Sequence, residues 1–449
     1  SEFRKNGYPS KLPWFPFTKG GLSLSALAGI DQAYPYPAKI LFTYFYNPVY
    51  TTPGGRRFIE TLKCTKRVPL HVSIDVTVNE TNIYADYIVP DITYLEGQYG
   101  FLTPHAPGEK FTAVRTPLVL PKTGQTKDGR PFCLETFLID LAVYLGLPGF
   151  GPKAIPGKDG LYPLYQAEDY YLRGIANLAY NAKVKPASKE EQDFVAKNYL
   201  VAQFEDLLPE DEWQRVCTVL VRGGVFYPSD TVFDSRGNFK AGIPKVCLWN
   251  EKLALSRNSL TGNPFWGTVR YEISRDAFGS SIAELDKDFP LTLISHKTAL
   301  HTQSRTICYR KALVYEGEPH LLLNPEDAKR LGLKDGQSVR VWSRSFKEGL
   351  KAKVKISSLV RPGCSVYPFH YGHTQHGASS LIVKNGSQVF LGGAAIFDVM
   401  RLIPDEKRKI GFNPNVLSRL DESLFNLPLV DLLGGIPDFS STRIKISKI

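Results

Sequence analysis

The chain has 449 residues, 43% of them hydrophobic and 22% charged, the proportions of a soluble globular protein with a sizeable core, and its length suggests roughly two or three domains. No apolar run reaches the ~18 residues of a membrane span, and the opening SEFRKNGYPSKLPW lacks the apolar centre of a signal peptide. The net charge of +11 raises nucleic acid, a membrane surface or an anionic ligand as partners. Its basic residues, however, are spread through Lys63–Arg67, Arg344–Lys355 and Lys407–Lys409, with no basic helix or aromatic-interleaved basic strand, so no nucleic-acid partner is expected.

Residues 1–38 are rich in Pro, Gly and aromatics and read as an arm or connector. From 39 to 146 strands alternate with helices. Ile40–Tyr46 is strongly β-prone and stops at Asn47-Pro48, then turns through Thr51, Thr52, Pro53, Gly54 and Gly55. Gly55–Leu62 reads as a helix, Pro69–Asp75 as a buried strand, Asn79–Tyr84 as a short helix and Asp86–Pro90 as a third strand. This spacing predicts parallel βαβ units in a Rossmann-like half domain. Ligands of such sheets sit beyond the carboxyl ends of the strands. Those ends carry Asn47, Thr51 and Thr52 after the first strand, and Asp75, Asn79, Glu80 and Thr81 after the second. Asp75 suits a guanine, whose ring N–H and amino group offer two donors to one carboxylate; it also suits capping the turn that follows it.

Tyr94–Pro121 is rich in loop residues. Leu134, Phe137, Leu138, Leu141 and Leu145 recur at helical spacing before Gly146 and Pro148, which predicts an amphipathic helix. Residues 147–288 read as an irregular α/β insertion. Leu147–Pro163, with four prolines and four glycines, is expected to be a long irregular connection. Ser188 and Glu191 form a capping-box signature, and Pro209–Leu220 reads as a further helix. Turn signals crowd Gly223–Phe278, which could line a substrate funnel.

From 289 to 449 the pattern is mostly β. Within it Asn324 is placed to cap a helix, Pro325 takes its first position, Glu326 and Asp327 favour its start and Gly332 ends it. Asp335-Gly336 then turns into Ser338–Trp342, and Lys351–Ile356 and Thr442–Ile446 alternate like strands. The expected architecture is therefore α/β plus β: a parallel-sheet half domain followed by a carboxy-terminal β-barrel domain of about 160 residues.

The richest chemistry lies in Pro290–Thr306, PLTLISHKTALHTQSRT. A short strand leads into His296, Lys297, Thr298, His301, Thr302, Gln303, Ser304, Arg305 and Thr306, a run dense in donors with two cations and no acid. Such a set fits an anion with many acceptor oxygens, while Gln303 can match a heteroaromatic ring, so the run reads as a grip on a large phosphorylated cofactor. A solvated polar loop has the same composition. His370, His373 and His376 in FHYGHTQHG are spaced by three, but the glycines and proline around them do not favour a helix that would gather them on a metal. His370 and Tyr371 are instead placed near the cofactor, with the other two as loop histidines. Asn413 and Asn415 offer amides for the edge of a heteroaromatic ring, or serve as turn residues around Pro414. The six cysteines, Cys64, Cys133, Cys217, Cys247, Cys308 and Cys364, show no CxxC spacing and read as apolar thiols. No GxSxG elbow, P-loop or GxGxxG occurs.

LHTQSRT, the NPEDAKRLGLKDGQSVRVWS segment from Asn324 to Ser343 and the Val360–His373 segment resemble the carboxy-terminal domain of molybdopterin oxidoreductases of the dimethyl sulfoxide reductase family. The resemblance extends upstream to Ile40–Gly100, where Asn82 stands in place of a usual alanine, and downstream to the terminus. GGIPDFSSTR, from Gly434 to Arg443, is similar to the branch acting on tetrathionate, thiosulfate and polysulfide, with arsenate reductases nearby. The resemblance implies two molybdopterin guanine dinucleotides per molybdenum, gripped in part by the residues named above. It also implies that the iron–sulfur cluster and metal ligand lie in an upstream half of the subunit. Expected partners are that half, a membrane anchor and an iron–sulfur electron-transfer subunit, on the periplasmic side. A non-catalytic cofactor-binding module is the other class that the same grip would serve.

Overall fold

The computed structural model describes residues 2–5, 7–17, 22–97, 99–103, 110–228, 230, 232–240, 247–375, 379–383, 388–391, 394–397, 400–404 and 409–449. Helix α1 (Leu22–Gln32) falls in the stretch read as an arm. Its Leu27 and Ala28 are buried in one cluster with Val49, Phe58 and Leu62, so this part of the opening is packed structure.

Strands β1 (Leu41–Tyr44), β2 (His71–Asp75) and β3 (Tyr87–Pro90) form a three-stranded sheet in sequence order, with both pairings parallel. The central strand β2 is buried at every residue. Within it the Thr43 hydroxyl and His71 Nε2 lie 3.0 Å apart, while His71 Nδ1 is buried without a partner. The first crossover is not the single helix expected over 55–62. A 3-10 turn (Gly55–Phe58) runs into the short helix α2 (Ile59–Lys63). At Gly55 a Cβ would collide with the carbonyl oxygen of Pro48, which is the reason for glycine there. The second crossover is fastened by Asn82, whose Oδ1 accepts the Asn79 N–H at 2.7 Å and whose Nδ2 donates to the Thr77 carbonyl at 2.9 Å. An alanine here could make neither bond.

Helix α3 (Leu134–Tyr144) forms as expected, but it buries Thr136, Ile139 and Ala142 and leaves Leu138 exposed. The apolar stripe legible in the sequence is thus not the face turned to this core. The stretch from 147 to 163, expected to be an irregular connection, instead contributes most of the antiparallel hairpin β4 (Gly151–Gly157) and β5 (Gly160–Leu164), with a register shift between Gly151 and Ile155. Prolines survive in these strands because a two-stranded hairpin leaves half of the backbone N–H groups unpaired anyway. Helices α4 (Ala167–Asn181), α5 (Lys189–Asn198) and α6 (Glu210–Arg222) then share a core of Leu172, Ile175, Val195, Trp213 and Val216. The capping box of α5 is present, with Ser188 N–H donating to Glu191 at 2.9 Å and Glu191 N–H to the Ser188 hydroxyl at 3.2 Å.

The carboxy-terminal strands close into a six-stranded barrel. In chain order these are β6 (Leu291–His296), β7 (Leu321–Leu323), β8 (Ser338–Ser343), β9 (Leu350–Ile356), β10 (Cys364–Pro368) and β11 (Arg443–Lys448), and around the barrel they run β7-β9-β8-β11-β6-β10. The alternating residues Leu291, Leu293, Val339, Val341, Ile444 and Ile446 point into its interior. Between β7 and β8 sits the short helix α7 (Pro325–Arg330), capped by Asn324, whose Oδ1 accepts the Glu326 N–H at 2.8 Å while its Nδ2 donates to the Val360 carbonyl at 2.7 Å. Leu291–His296 closes the barrel and delivers the donor-rich loop at its end, so the strand positions the site.

Candidate functional site

The loop after β6 meets the carboxyl end of the parallel sheet. Arg305 places both terminal guanidinium nitrogens on Asp75, each at 2.8 Å, across 230 residues of sequence. Asp75 is buried, and its remaining lone pairs accept the N–H groups of Val76 at 2.8 Å and Thr77 at 3.4 Å and the Asn79 amide at 3.1 Å. The Arg305 guanidinium also lies over the ring of Phe45, 4.5 Å from its centroid. In this structure the carboxylate read as a guanine acceptor therefore faces Arg305 and the turn that follows it.

A second link is made by His373, which the sequence reading left as a loop histidine. It is buried, its Nδ1 bonds Glu80 at 2.9 Å and its Nε2 bonds the Ser304 carbonyl at 2.8 Å. Both nitrogens of this ring therefore face oxygen atoms, one on each side of the junction. Tyr50 stacks on this ring, centroids 3.7 Å apart and planes within 8°, and donates its hydroxyl to the carbonyls of Tyr371 at 2.7 Å and Phe369 at 3.0 Å. Burial, together with the nearby Glu80 charge, pushes the Tyr50 phenol well above its ordinary pKa.

Glu80 is the hub. Besides His373 it accepts the amide of Asn47 at 2.7 Å and the N–H groups of Thr374 at 2.7 Å and Gln375 at 2.9 Å. Burial alone would raise its pKa, but the His373 charge and these hydrogen bonds hold its carboxyl far below the usual range. Thr81 donates to Asn47 Oδ1 at 2.8 Å and accepts the Val49 N–H at 3.1 Å, while the Thr51 hydroxyl returns to the Asn47 carbonyl at 2.9 Å. Asn47, Thr51, Glu80 and Thr81 are thus engaged in holding the two strand-end loops together. Thr52 differs: its hydroxyl oxygen is buried without a partner.

Around the loop itself, His370 is buried and its tautomer is set by its neighbours. Its Nε2 accepts the Thr298 N–H at 3.3 Å, so the proton is on Nδ1, which donates to the Gln303 carbonyl. Burial lowers the pKa of His370 and, separately, that of His301. The His301 ring lies 5.4 Å from that of His370 and 5.7 Å from Tyr371. Its Nδ1 meets the Thr306 hydroxyl at 3.1 Å, and that hydroxyl also accepts the Thr302 N–H at 2.8 Å. His301 Nε2 and the Thr298 hydroxyl oxygen remain buried without a hydrogen-bond partner. Lys297 is exposed, as are Thr302 and Gln303, the latter at φ 41°. His296 Nδ1 bonds the Lys297 carbonyl at 2.9 Å, and Tyr371 donates to the Gly317 carbonyl at 3.4 Å. Burial, helped by Glu316, raises the Tyr371 phenol to about 12.

The amides of Asn413 and Asn415 serve the protein's own backbone. Asn413 Nδ2 donates to the Tyr50 carbonyl at 2.6 Å, and Asn415 Nδ2 donates to the carbonyls of Tyr50 and Thr51, each at 3.1 Å. Asn413 Oδ1 also caps the Asn415 N–H at 3.0 Å, so in this structure the turn-and-brace role is the one both residues fill. His376 lies outside the described residues, as do 407 and 408 of the last basic run. Among the described residues no three His, Cys, Asp or Glu side chains gather as a metal site. Tyr50 and His373 are the members that the sequence reading missed; the shared spacing of His373 with His370 was the available signal.

The closed barrel thus has its rim loop clamped to the carboxyl end of a parallel sheet, with ionic and hydrogen-bonding groups lining the junction. Residues 291–391 match the molydopterin dinucleotide binding domain. Over 99% of its length the chain is 32% identical to a tetrathionate reductase subunit of Archaeoglobus fulgidus, covering 45% of that protein. It is 34% identical to a selenate reductase subunit of Mesobacillus selenatarsenatis over 99% of its length and 43% of the relative's. It is 35% identical to a tetrathionate reductase subunit of Salmonella typhimurium over 83% of its length and 37% of the relative's. In fold it is similar to acetylene hydratase from Pelobacter acetylenicus, with a TM-score of 0.54 at 18% identity over 96% of this chain and 46% of that one. Residues 291–391 thus carry the dinucleotide binding domain, and the chain is similar to the carboxy-terminal part of these molybdopterin reductase subunits. It spans less than half the length of the curated relatives it matches.

Proposed function

We propose that this chain is the carboxy-terminal part of the catalytic subunit of a molybdenum bis(molybdopterin guanine dinucleotide) reductase acting on tetrathionate or a related sulfur compound. The observation that carries the cofactor reading is the pair of buried, unpartnered atoms Thr298 Oγ1 and His301 Nε2 on the loop that also bears Lys297 and Arg305. A buried polar atom without a partner costs free energy, and a ligand rich in donors and acceptors removes that cost. The donor set fits the group: cations for a pyrophosphate, hydroxyls and a neutral imidazole for a pterin edge. When bound, the molybdenum held by its two pterin dithiolenes supplies two-electron transfer to the substrate.

In this reading the residues of the chain bind and orient. Lys297, free to move at the surface, meets phosphate as a point charge. Thr298 and His301 hydrogen-bond the pterin, with His301 kept neutral by burial. The Arg305–Asp75 pair and the His373–Glu80 pair hold the loop against the sheet, which fixes where those donors point. Asp75 presents a guanine acceptor when the base displaces Arg305 from part of the carboxylate. The parallel sheet is the Rossmann-like half domain, with boundaries near 39–146, followed by an insertion at 147–288 and the barrel domain at 289–449. A periplasmic setting, a membrane anchor and the iron–sulfur subunit belong to the same proposal; among the described residues no helix is long and apolar enough to cross a membrane.

Tetrathionate is preferred because two of the relatives above 30% identity carry that activity in their names. Selenate is the second reading, favoured by 34% identity along nearly the whole chain to a selenate reductase subunit. Arsenate and thiosulfate reductase subunits stand further away, at 24% and 25% identity. The test is Arg305→Ala in the intact subunit, reading molybdenum by elemental analysis, pterin by the fluorescence of its oxidised form, and reductase activity. All three are expected to fall together, and full activity with normal metal content would remove Arg305 from the role.

A further inference from the structure

The parallel sheet is covered unequally. On one face Leu41 packs against the core built with α1 and α2 and Thr43, His71 and Ser73 are buried, with Ile88 of the edge strand 38% exposed. On the other face the register sets two apolar rows across the sheet, Phe42–Val72–Tyr87 and Tyr44–Ile74–Val89. Their middle members are buried, but Phe42 is 47% exposed, Tyr44 45% and Tyr87 58%, and Ile40, two residues before Phe42 and so on the same face, is 52% exposed. Parallel sheets are stable when both faces are covered, because their strands are apolar on both sides. An apolar stripe that alternates along β1 and is matched in register on β3 marks a face that is half finished. Helix α3, which touches β3, repeats the pattern: its buried side is Thr136, Ile139 and Ala142, while Leu138 and Leu145 of its other apolar stripe face solvent. A helix apolar on two sides is normally packed on two sides.

We propose that this face, centred on Phe42, Tyr44 and Tyr87, is the surface on which the amino-terminal part of the same subunit docks. The occupant follows from length: the chain covers 45% and 43% of two relatives that it matches along 99% of itself, so more than half of such a subunit remains to be seated. A second copy of this chain is the less suitable occupant, because it would repeat the same uncovered face without supplying the remaining half. The proposal rests on the reading of the chain as part of a larger catalytic subunit.

The experiment is co-expression, as two separate polypeptides, of this chain and the upstream part of its subunit, with only the upstream part tagged. Phe42→Lys and Tyr87→Lys, alone and together, are compared with Leu359→Lys, a control at a side chain 95% exposed on the barrel domain. The expected result is that the sheet variants lower co-purification about ten-fold or more while Leu359→Lys leaves it unchanged. Melting temperatures of the isolated variants show whether they fold. A measurement needing no variant is hydrogen exchange in the wild-type chain, where the amides of 41–44 and 87–90 are expected to slow when the upstream part is bound. Undiminished co-purification with unchanged exchange would overturn the surface, as would failure of the wild-type parts to associate. So would a dimer of the chain alone that Phe42→Lys converts to monomer, since the occupant would then be a second copy. Molybdenum content separates the two levels: a wild-type pair that forms through this face without metal defeats the cofactor reading alone, and a metal-loaded pair insensitive to both sheet variants defeats the surface alone.

Discussion

At Glu80 a buried carboxylate gathers Asn47, His373 and the N–H groups of Thr374 and Gln375. Its folded-state pKa is depressed below the unfolded value of about 4.3, so its contribution to stability is present above that pH and is lost as pH falls through the folded value. Glu80→Gln is therefore expected to cost roughly 3 kcal/mol at pH 7. The difference from wild type should shrink steadily below about pH 4, as the unfolded chain's carboxyl takes up its proton while the native one stays ionised. Urea unfolding of both proteins at pH 7, 5, 4 and 3 measures it; a difference independent of pH would mean that the carboxylate charge contributes nothing. At this scale the sequence reads residue types but not their pairings. It marks Asp75 and Arg305 as two separate ligand contacts, whereas the fold joins them, because nothing local in either segment encodes a partner 230 residues away. The partners of Asn413 and Asn415 are hidden for the same reason, since their amides brace the backbone of Tyr50 and Thr51 from across the chain.

Elements were legible where their signals are local. Ser188 and Glu191 predict and form a capping box, and Asn324 with Pro325 predicts and forms a helix start. What stayed hidden is set by tertiary contact. The prolines and glycines of 147–163 suggest irregular chain, yet a hairpin with two open edges tolerates them. The apolar stripe of α3 was read correctly as helical, but which stripe faces this core depends on what else packs there. Asn324 offers a measurement at this scale, because one side chain both caps α7 and bonds the Val360 carbonyl in the interior. A cap lost to alanine costs about 1 kcal/mol, and a buried carbonyl left unpaired costs at least as much again. Asn324→Ala should therefore lower unfolding free energy by about 2–3 kcal/mol, against about 1 kcal/mol for Ser188→Ala at the exposed cap of α5. Equal losses in the two variants would show that the Val360 bond adds nothing.

On the scale of the whole molecule, alternation and turn chemistry made the β-rich carboxy-terminal region legible, while closure of the barrel depends on β11 at the chain's end pairing with both β6 and β8. That closure presents the donor-rich loop to the parallel sheet, and the half-buried Arg305–Asp75 pair and the buried His373–Glu80 contact hold it there. The arrangement proposed to grip the cofactor offers little chemistry of its own. Among the described residues no metal-binding group is gathered, and none of the cysteines has the spacing of a cluster. Two-electron reduction requires the metal, a protein ligand to that metal, both pterins and a route for electrons. We therefore expect the chain expressed alone to bind little molybdenum and to reduce none of tetrathionate, thiosulfate, polysulfide, selenate or arsenate with an artificial donor. Restoring the upstream part should bring back metal and one of these activities together. Elemental analysis and the five-substrate assay on both forms make the measurement, and turnover by the isolated chain would show that the grip described here is already a complete enzyme.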